Sequence, residues 1–255
     1  SIDANALFDM KTIDNQYWLA TDNGLYIVDD RYQLISHLTD DPKQNSDSQT
    51  LLSNNIKAIS QFDETHVWLA TKNGLNTISL LNRDIESYQS NTKSTSISEN
   101  WLMDIYRDNN NNMWLASYGG GVNKHSPITS LFHHSLVSDG NKNYRIESLA
   151  ETSDGSIWFS TEQQGLFKFS TTGVISKELT NIKENIWPVI SNKSNTVWFR
   201  TESNKLYEFD FINNILNEHK KWFLESNFSI TQIPLEVKDG IWFINNEGAL
   251  INYDG

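Results

Sequence analysis

The stretch Tyr17-Trp18-Leu19-Ala20-Thr21-Asp22-Asn23-Gly24-Leu25 recurs in variant form along the whole chain. Trp18, Trp68, Trp114, Trp158, Trp198 and Trp242 mark six near-copies, spaced 50, 46, 44, 40 and 44 residues apart. A period of that size means one supersecondary unit repeated. The residue before each tryptophan is apolar or aromatic (Tyr17, Val67, Met113, Ile157, Val197, Ile241), and the residue after it is Leu or Phe. Ala20, Ala70, Ala116, Ser160, Arg200 and Ile244 follow, with Thr or Ser next in five of the six copies. A short run that is apolar on both alternating faces is a strand covered on both sides. In a radial stack, each small sheet is covered by its two neighbours.

A second run lies upstream in fixed register. Ile56, Leu102, Ile146, Ile186 and Ile230 fall twelve residues before the local tryptophan, and Ile59, Ile105, Leu149, Val189 and Ile233 fall nine before it. Turn formers such as Asp63-Glu64-Thr65, Ser153-Asp154-Gly155 and Asp239-Gly240 separate the two runs. After the tryptophan strand, Gly24, Gly74, Gly119 to Gly121, Gly165 and Gly248 mark another turn. A third strand follows (Leu25–Val28, Leu166–Phe169, Leu206–Phe209), then a more polar fourth (Leu34–Leu38, Ile85–Tyr88, Val174–Lys177). The reading is all-β: a β-propeller of about six four-stranded blades, near 1–40, 52–90, 98–138, 142–180, 183–220 and 226–255, in one domain over 1–255. The last copy stops inside its third strand at Ile251-Asn252-Tyr253, so an incomplete ring, or a fragment of a longer propeller array, is expected.

Composition narrows the partners. Hydrophobic residues make up 38% and aromatics 12%, enough to build a core. A formal charge of −12 repels phosphate backbones, so nucleic acid is not an expected partner. There is no cysteine, which excludes disulfides and thiolate chemistry. No run approaches the roughly 18–20 apolar residues needed to span a bilayer as a helix.

The motif Trp-Leu-Ala-Thr-x-x-Gly-Leu, preceded by an Asp/Asn/Gly turn and an Ile-x-x-Ile strand, resembles the two-component regulator propeller repeat. Ser96-Ile97-Ser98-Glu99-Asn100-Trp101-Leu102-Met103-Asp104-Ile105-Tyr106-Arg107-Asp108 is similar to that family's inter-blade loop and first strand, and Thr50 to Ile56 is a weaker version. Copies five and six depart from it, with Lys205 in place of the Gly and Asn245 in place of the Thr. The resemblance implies a periplasmic, ligand-sensing region of a bacterial membrane receptor, a hybrid histidine kinase or diguanylate cyclase. It implies no catalysis within this region, attachment to the membrane only through a downstream segment, and a homodimer in the intact receptor. A carbohydrate-active propeller lyase or hydrolase is the alternative, and a protein-interaction platform is the third reading.

The six periodic tryptophans read as core, wedged between neighbouring blades. Candidate ligand-binding residues are those that break the period or sit at the turn end of the blades. Trp101 and Trp187 stand at the entrances of innermost strands, as do Tyr144 and Arg145. Tyr118 occupies the turn position filled elsewhere by Asp22, Lys72, Glu162 and Glu202. Aromatic faces beside Arg and the carboxylates of Glu162 and Glu202 suit an oligosaccharide or other small polar ligand. No catalytic residue, metal site or cofactor is expected. Asp108-x-Asn110-x-Asn112 lacks the Gly and closing Glu of a calcium loop and reads as a hairpin turn. His133-His134 on one strand point to opposite faces and cannot share a metal.

Overall fold

The computed structural model describes residues 2–43, 50–93, 95–128, 132–138, 140–179, 181–191, 195–203, 205–219, 235–237, 240–244 and 250–253. Among these residues every regular element is a β-strand. The chain divides into two compact units, Ser1–Arg145 and Ile146–Gly255.

The first unit holds three antiparallel four-stranded meanders. They are β1 (Leu7–Ile13) to β4 (Leu34–Leu38) through β2 (Gln16–Thr21) and β3 (Gly24–Val28); β5 (Ile56–Gln61) to β8 (Ile85–Tyr88) through β6 (His66–Thr71) and β7 (Gly74–Ser79); and β9 (Leu102–Arg107) to β12 (Phe132–Ser135) through β10 (Met113–Ser117) and β11 (Gly121–His125). The second unit holds two more. One is β13 (Ile146–Glu151), β14 (Ile157–Thr161), β15 (Gly165–Phe169) and β16 (Ile175–Leu179). The other is β17 (Ile186–Ser191), β18 (Thr196–Thr201), β19 (Leu206–Asp210) and β20 (Ile215–Glu218). A three-stranded sheet follows, of β21 (Leu235–Val237), β22 (Gly240–Ile244) and β23 (Leu250–Tyr253). Val174, expected to open a fourth strand, lies in the turn before β16, where its amide donates to Ser170 Oγ at 3.0 Å.

Each tryptophan strand is the second of its sheet, and in the five four-stranded sheets its burial on both faces explains the absence of polar alternation. Trp18 shares a core with Ile56, Ile59 and Leu69 of the next sheet. Trp68 does so with Leu102, Ile105 and Leu115, and Trp158 with Ile186, Val197 and Phe199. The periodic indole therefore fills the space between consecutive sheets within each unit. Trp222 and the side chain of Trp242 lie outside the described residues.

The recurrent Thr has a local task. Thr21 Oγ1 donates to the Gly24 carbonyl at 2.7 Å and accepts from Asn23 N at 3.0 Å, closing the turn between β2 and β3. Thr71 repeats both bonds with Gly74 and Asn73. Gly24 is required twice over: its φ is +95°, and a Cβ there would lie 2.3 Å from the Leu38 carbonyl of β4. In the third sheet, Asp108 builds the hairpin between β9 and β10. Its Oδ1 accepts from Asn110 N at 2.9 Å and Asn112 N at 2.8 Å, and its Oδ2 accepts from Asn112 Nδ2 and from the Trp114 indole, both at 2.8 Å. The calcium-like spacing is thus a structural turn. In the fourth sheet the Trp158 indole donates instead to Thr152 Oγ1 at 3.1 Å.

One irregularity recurs. The register between first and second strand slips at the same point in each four-stranded sheet, leaving Phe8, Lys57, Met103 and Glu147 as the extra residues and passing over Trp187 and Pro188 in β17. A bulge re-aims the side chain that it leaves unpaired. In the first unit, Lys57 Nζ lies 3.6 Å from the ring centroid of Phe8, so two of these side chains from neighbouring sheets meet.

Candidate functional site

At the turn end, four of the sheets set two side chains next to each other by a backbone bond. The residue after the second strand donates its amide to the residue preceding, or nearly preceding, the first strand. Asp22 N donates to Ala6 O at 3.2 Å, Lys72 N to Asn55 O at 3.0 Å and Tyr118 N to Trp101 O at 2.8 Å in the first unit. Glu202 N donates to Asn185 O at 3.0 Å in the second. Identical geometry thus carries different chemistry from sheet to sheet.

In the third sheet both positions are aromatic. Trp101 and Tyr118 stack with ring centroids 4.3 Å apart and planes 7° from parallel. The Arg145 guanidinium lies 4.7 Å from the Tyr118 centroid and 6.0 Å from that of Trp101. These three distances form a triangle with Arg145 beside the stack, not capping its far end. Lys72, from the second sheet, places its ammonium 4.9 Å from the Trp101 ring. Tyr118 is 37% exposed, so its ring is open to a ligand. The Trp101 indole N–H is buried and has no hydrogen-bond partner among the described residues, leaving a donor in the same place.

Two features hold the stack. Gly120 lets the loop before β9 press onto the turn after β10: a Cβ there would sit 2.6 Å from both Glu99 Cβ and Ser98 Oγ. Asn123, fully buried in β11, accepts from Ser98 N at 2.8 Å through Oδ1 and donates to Ser117 Oγ at 2.7 Å through Nδ2. Asn76 in β7 repeats this support by accepting from Leu52 N at 2.9 Å. Sequence reasoning passed over both asparagines. Their signal is a polar residue two positions after the turn glycine in an otherwise apolar strand. It also counted Lys72 as a turn residue only, because its approach to Trp101 crosses from one repeat to the next.

The other candidates separate. Tyr144 is buried and its amide donates to Val137 O at 2.8 Å, so it anchors the loop that carries Arg145. Glu162 and Glu202 stand on turns of the second unit, linked by Asn185, which accepts from Gln163 N at 2.8 Å and donates to Glu202 Oε2 at 3.3 Å. The side chain of Trp187 lies outside the described residues. Acidic groups at the turn end of the first unit are engaged by the backbone. Asp22 Oδ1 accepts from Ala6 N at 3.1 Å and Asn5 N at 3.0 Å, and the Ala6 bond foremost holds its carboxyl below the usual range. Glu99 accepts from Asn100 N at 2.7 Å.

Residues 96–119 and 139–163, which include Trp101, Tyr118, Tyr144, Arg145 and Glu162, match the family model described as two component regulator propeller. Two segments of the chain, around Trp114 and Trp158, thus match the two-component regulator propeller repeat. No curated protein matches it. Among solved structures, the propeller repeats are similar to the extracellular domain assigned to hybrid two component system BT4673 of B. thetaiotaomicron, with a TM-score of 0.75 and 20% identity over 98% of this chain and 33% of that one. They are similar also to that assigned to BT3049 of the same organism, with a TM-score of 0.60 and 18% identity over 98% and 40%. A third is PorZ, described as a surface component of the type-IX secretion system of Porphyromonas gingivalis, with a TM-score of 0.70 and 14% identity over 99% and 39%. At these identities the likeness shows the β-propeller fold. The chain spans between a third and two-fifths of the length of those structures.

Proposed function

We propose that these propeller repeats form part of an extracytoplasmic, periplasmic sensing module of a bacterial membrane receptor. The module binds an oligosaccharide or other small polar ligand and catalyses nothing itself. The single observation that carries this reading is the Trp101–Tyr118 stack with Arg145 and Lys72 against it, at the turn end of the first unit. A flat, partly open aromatic surface ringed by donors binds the apolar face of a sugar ring while hydrogen-bonding its substituents. The repeats matched by the family model, and the two-component systems to which the similar extracellular domains are assigned, support placing that binding in signal reception. Ligand contact at this end biases the arrangement of blades or of receptor subunits, and the bias passes toward the membrane through other parts of the receptor.

The test is calorimetric titration with a panel of neutral and charged oligosaccharides, with chromatography of each mixture for products. Binding without turnover, abolished by Trp101→Ala and Tyr118→Ala in variants that keep the wild-type circular dichroism, is the expected result. Turnover of any oligosaccharide, or binding indifferent to both substitutions, sinks the reading.

A further inference from the structure

The order of layers in the stack decides which ring a ligand touches. Residues that lead into a sheet's first strand stand between two turns, that of the preceding sheet and that of their own. Asn54 O accepts from Gly24 N in the first sheet's turn at 2.8 Å, while Asn55 O accepts from Lys72 N in the second sheet's turn at 3.0 Å. In the second unit, Asn185 accepts from Gln163 N through Oδ1 and donates to Glu202 through Nδ2. Trp101 holds the same place between the second and third sheets. Its ring stacks on Tyr118 of its own sheet, and the ammonium of Lys72, from the preceding sheet's turn, lies 4.9 Å from its centroid. Among the described residues the Tyr118 ring meets only Trp101 and Arg145, so Lys72 reaches the indole without touching the phenol ring. The indole is therefore an inner layer, and its N–H is buried. Tyr118 is the outer layer, exposed and with Arg145 beside the stack.

From this order we infer that Tyr118 is the only one of these rings that touches the ligand, taking one sugar ring on the face turned away from Trp101. Trp101 and Lys72 are positioning residues: they back the phenol ring across the junction of the second and third sheets. The inference rests on the sensing site proposed above and adds its contact face and the reach of its ligand. A single open ring face stacks a single pyranose ring, so sugar units further along a chain find no second platform. Lys72 is exposed, so replacing it spares the core.

The experiment has two arms. In the first, the chain and its Tyr118→Ala, Trp101→Phe, Lys72→Ala and Lys72→Arg variants are titrated with xylo-, cello- and malto-oligosaccharides from dimer to hexamer. For a series that binds, affinity stays within about threefold from trimer to hexamer, and Tyr118→Ala loses at least about tenfold, the order of one aromatic stack. Trp101→Phe, which keeps a backing ring, stays within about threefold of wild type, and Lys72→Arg restores whatever Lys72→Ala loses. In the second arm, a soluble nitroxide is added and the tyrosine and tryptophan ring resonances are followed by NMR. Tyr118 broadens while Trp101 is spared, and Lys72→Ala uncovers Trp101 to the nitroxide. Affinity that climbs severalfold with each added sugar, or a loss in Trp101→Phe as large as in Tyr118→Ala, puts Trp101 in direct contact with the ligand. Either result overturns the inference and leaves the sensing site standing. If no saccharide binds, the sensing reading falls and the assigned contact falls with it, while broadening of Trp101 as strong as that of Tyr118 refutes the order of layers by itself.

Discussion

Asp108→Ala tests the architecture at its most concentrated point. The carboxylate accepts four hydrogen bonds, and three of the donors are buried: Asn112 N, Asn112 Nδ2 and the Trp114 indole. The fourth, Asn110 N, turns to water when the acceptor is lost. A buried donor left without its partner costs about 1–3 kcal/mol, and relaxation of the hairpin recovers part of the sum. The expected loss is therefore about 3–5 kcal/mol, or roughly 10 °C in the midpoint of thermal unfolding. Asp108→Asn keeps one oxygen but turns an amide toward a donor pair, so about half that loss is expected. Urea unfolding followed by circular dichroism gives the energies, and proton exchange at the Trp114 indole reports the bond itself, slow in wild type and fast in Asp108→Ala. The same series separates a turn from a calcium loop, because a loop that held calcium would gain stability on adding the ion. Destabilisation below about 1 kcal/mol, or a calcium-dependent midpoint abolished by Asp108→Ala, refutes the reasoning.

Three further outcomes follow from the packing. Gly120→Ala forces a methyl group against Glu99 Cβ and Ser98 Oγ, so about 1–3 kcal/mol of stability is lost and the near-ultraviolet signal of the Trp101–Tyr118 stack falls. His125 is buried against Trp68, Phe62 and Phe132, and desolvation holds its pKa below the ordinary 6.5. The unfolded chain therefore takes up the proton first: this contribution to stability is complete above about pH 7 and declines as pH falls below about 6.5, and His125→Phe flattens the profile in urea titrations. For Asp154, burial pushes the pKa up, but hydrogen bonds from Thr152 Oγ1, Lys168 Nζ and Ser156 N outweigh it and bring the value down to about 2. Its stabilisation is present above about pH 4 and lost as pH falls toward 2, and Lys168→Met raises the midpoint of the Asp154 carboxyl resonance in a pH titration by NMR.

The blades were legible because each is a local object. Trp18 and its five counterparts each stand in the second strand of a sheet, as expected, although Ile230 and Ile233 of the sixth copy lie outside the described residues, and the Thr, Gly and Asp of the turns act within a few residues of themselves, as Thr21 does with Gly24 and Asp108 with Trp114. The bulge was not legible, since Phe8, Lys57 and Met103 look like ordinary strand residues until the pairing with the second strand is known. Tyr144 shows the same limit in the other direction: its position beside Arg145 marked it for the surface, and tertiary packing buried it.

What the sequence alone determined is the repeat, the order of strands and the end of each sheet at which variable side chains gather, because burial period and turn chemistry act over short separations. What the tertiary structure decided is which of those side chains meet. Lys72 and Trp101 belong to successive repeats, and their distance depends on how the second and third sheets pack across the core set by Trp68 and its neighbours. A contact between residues far apart in the chain leaves no trace in local periodicity, so Trp101, Tyr118 and Arg145 could be named beforehand as candidates, but not that Lys72 stands against them.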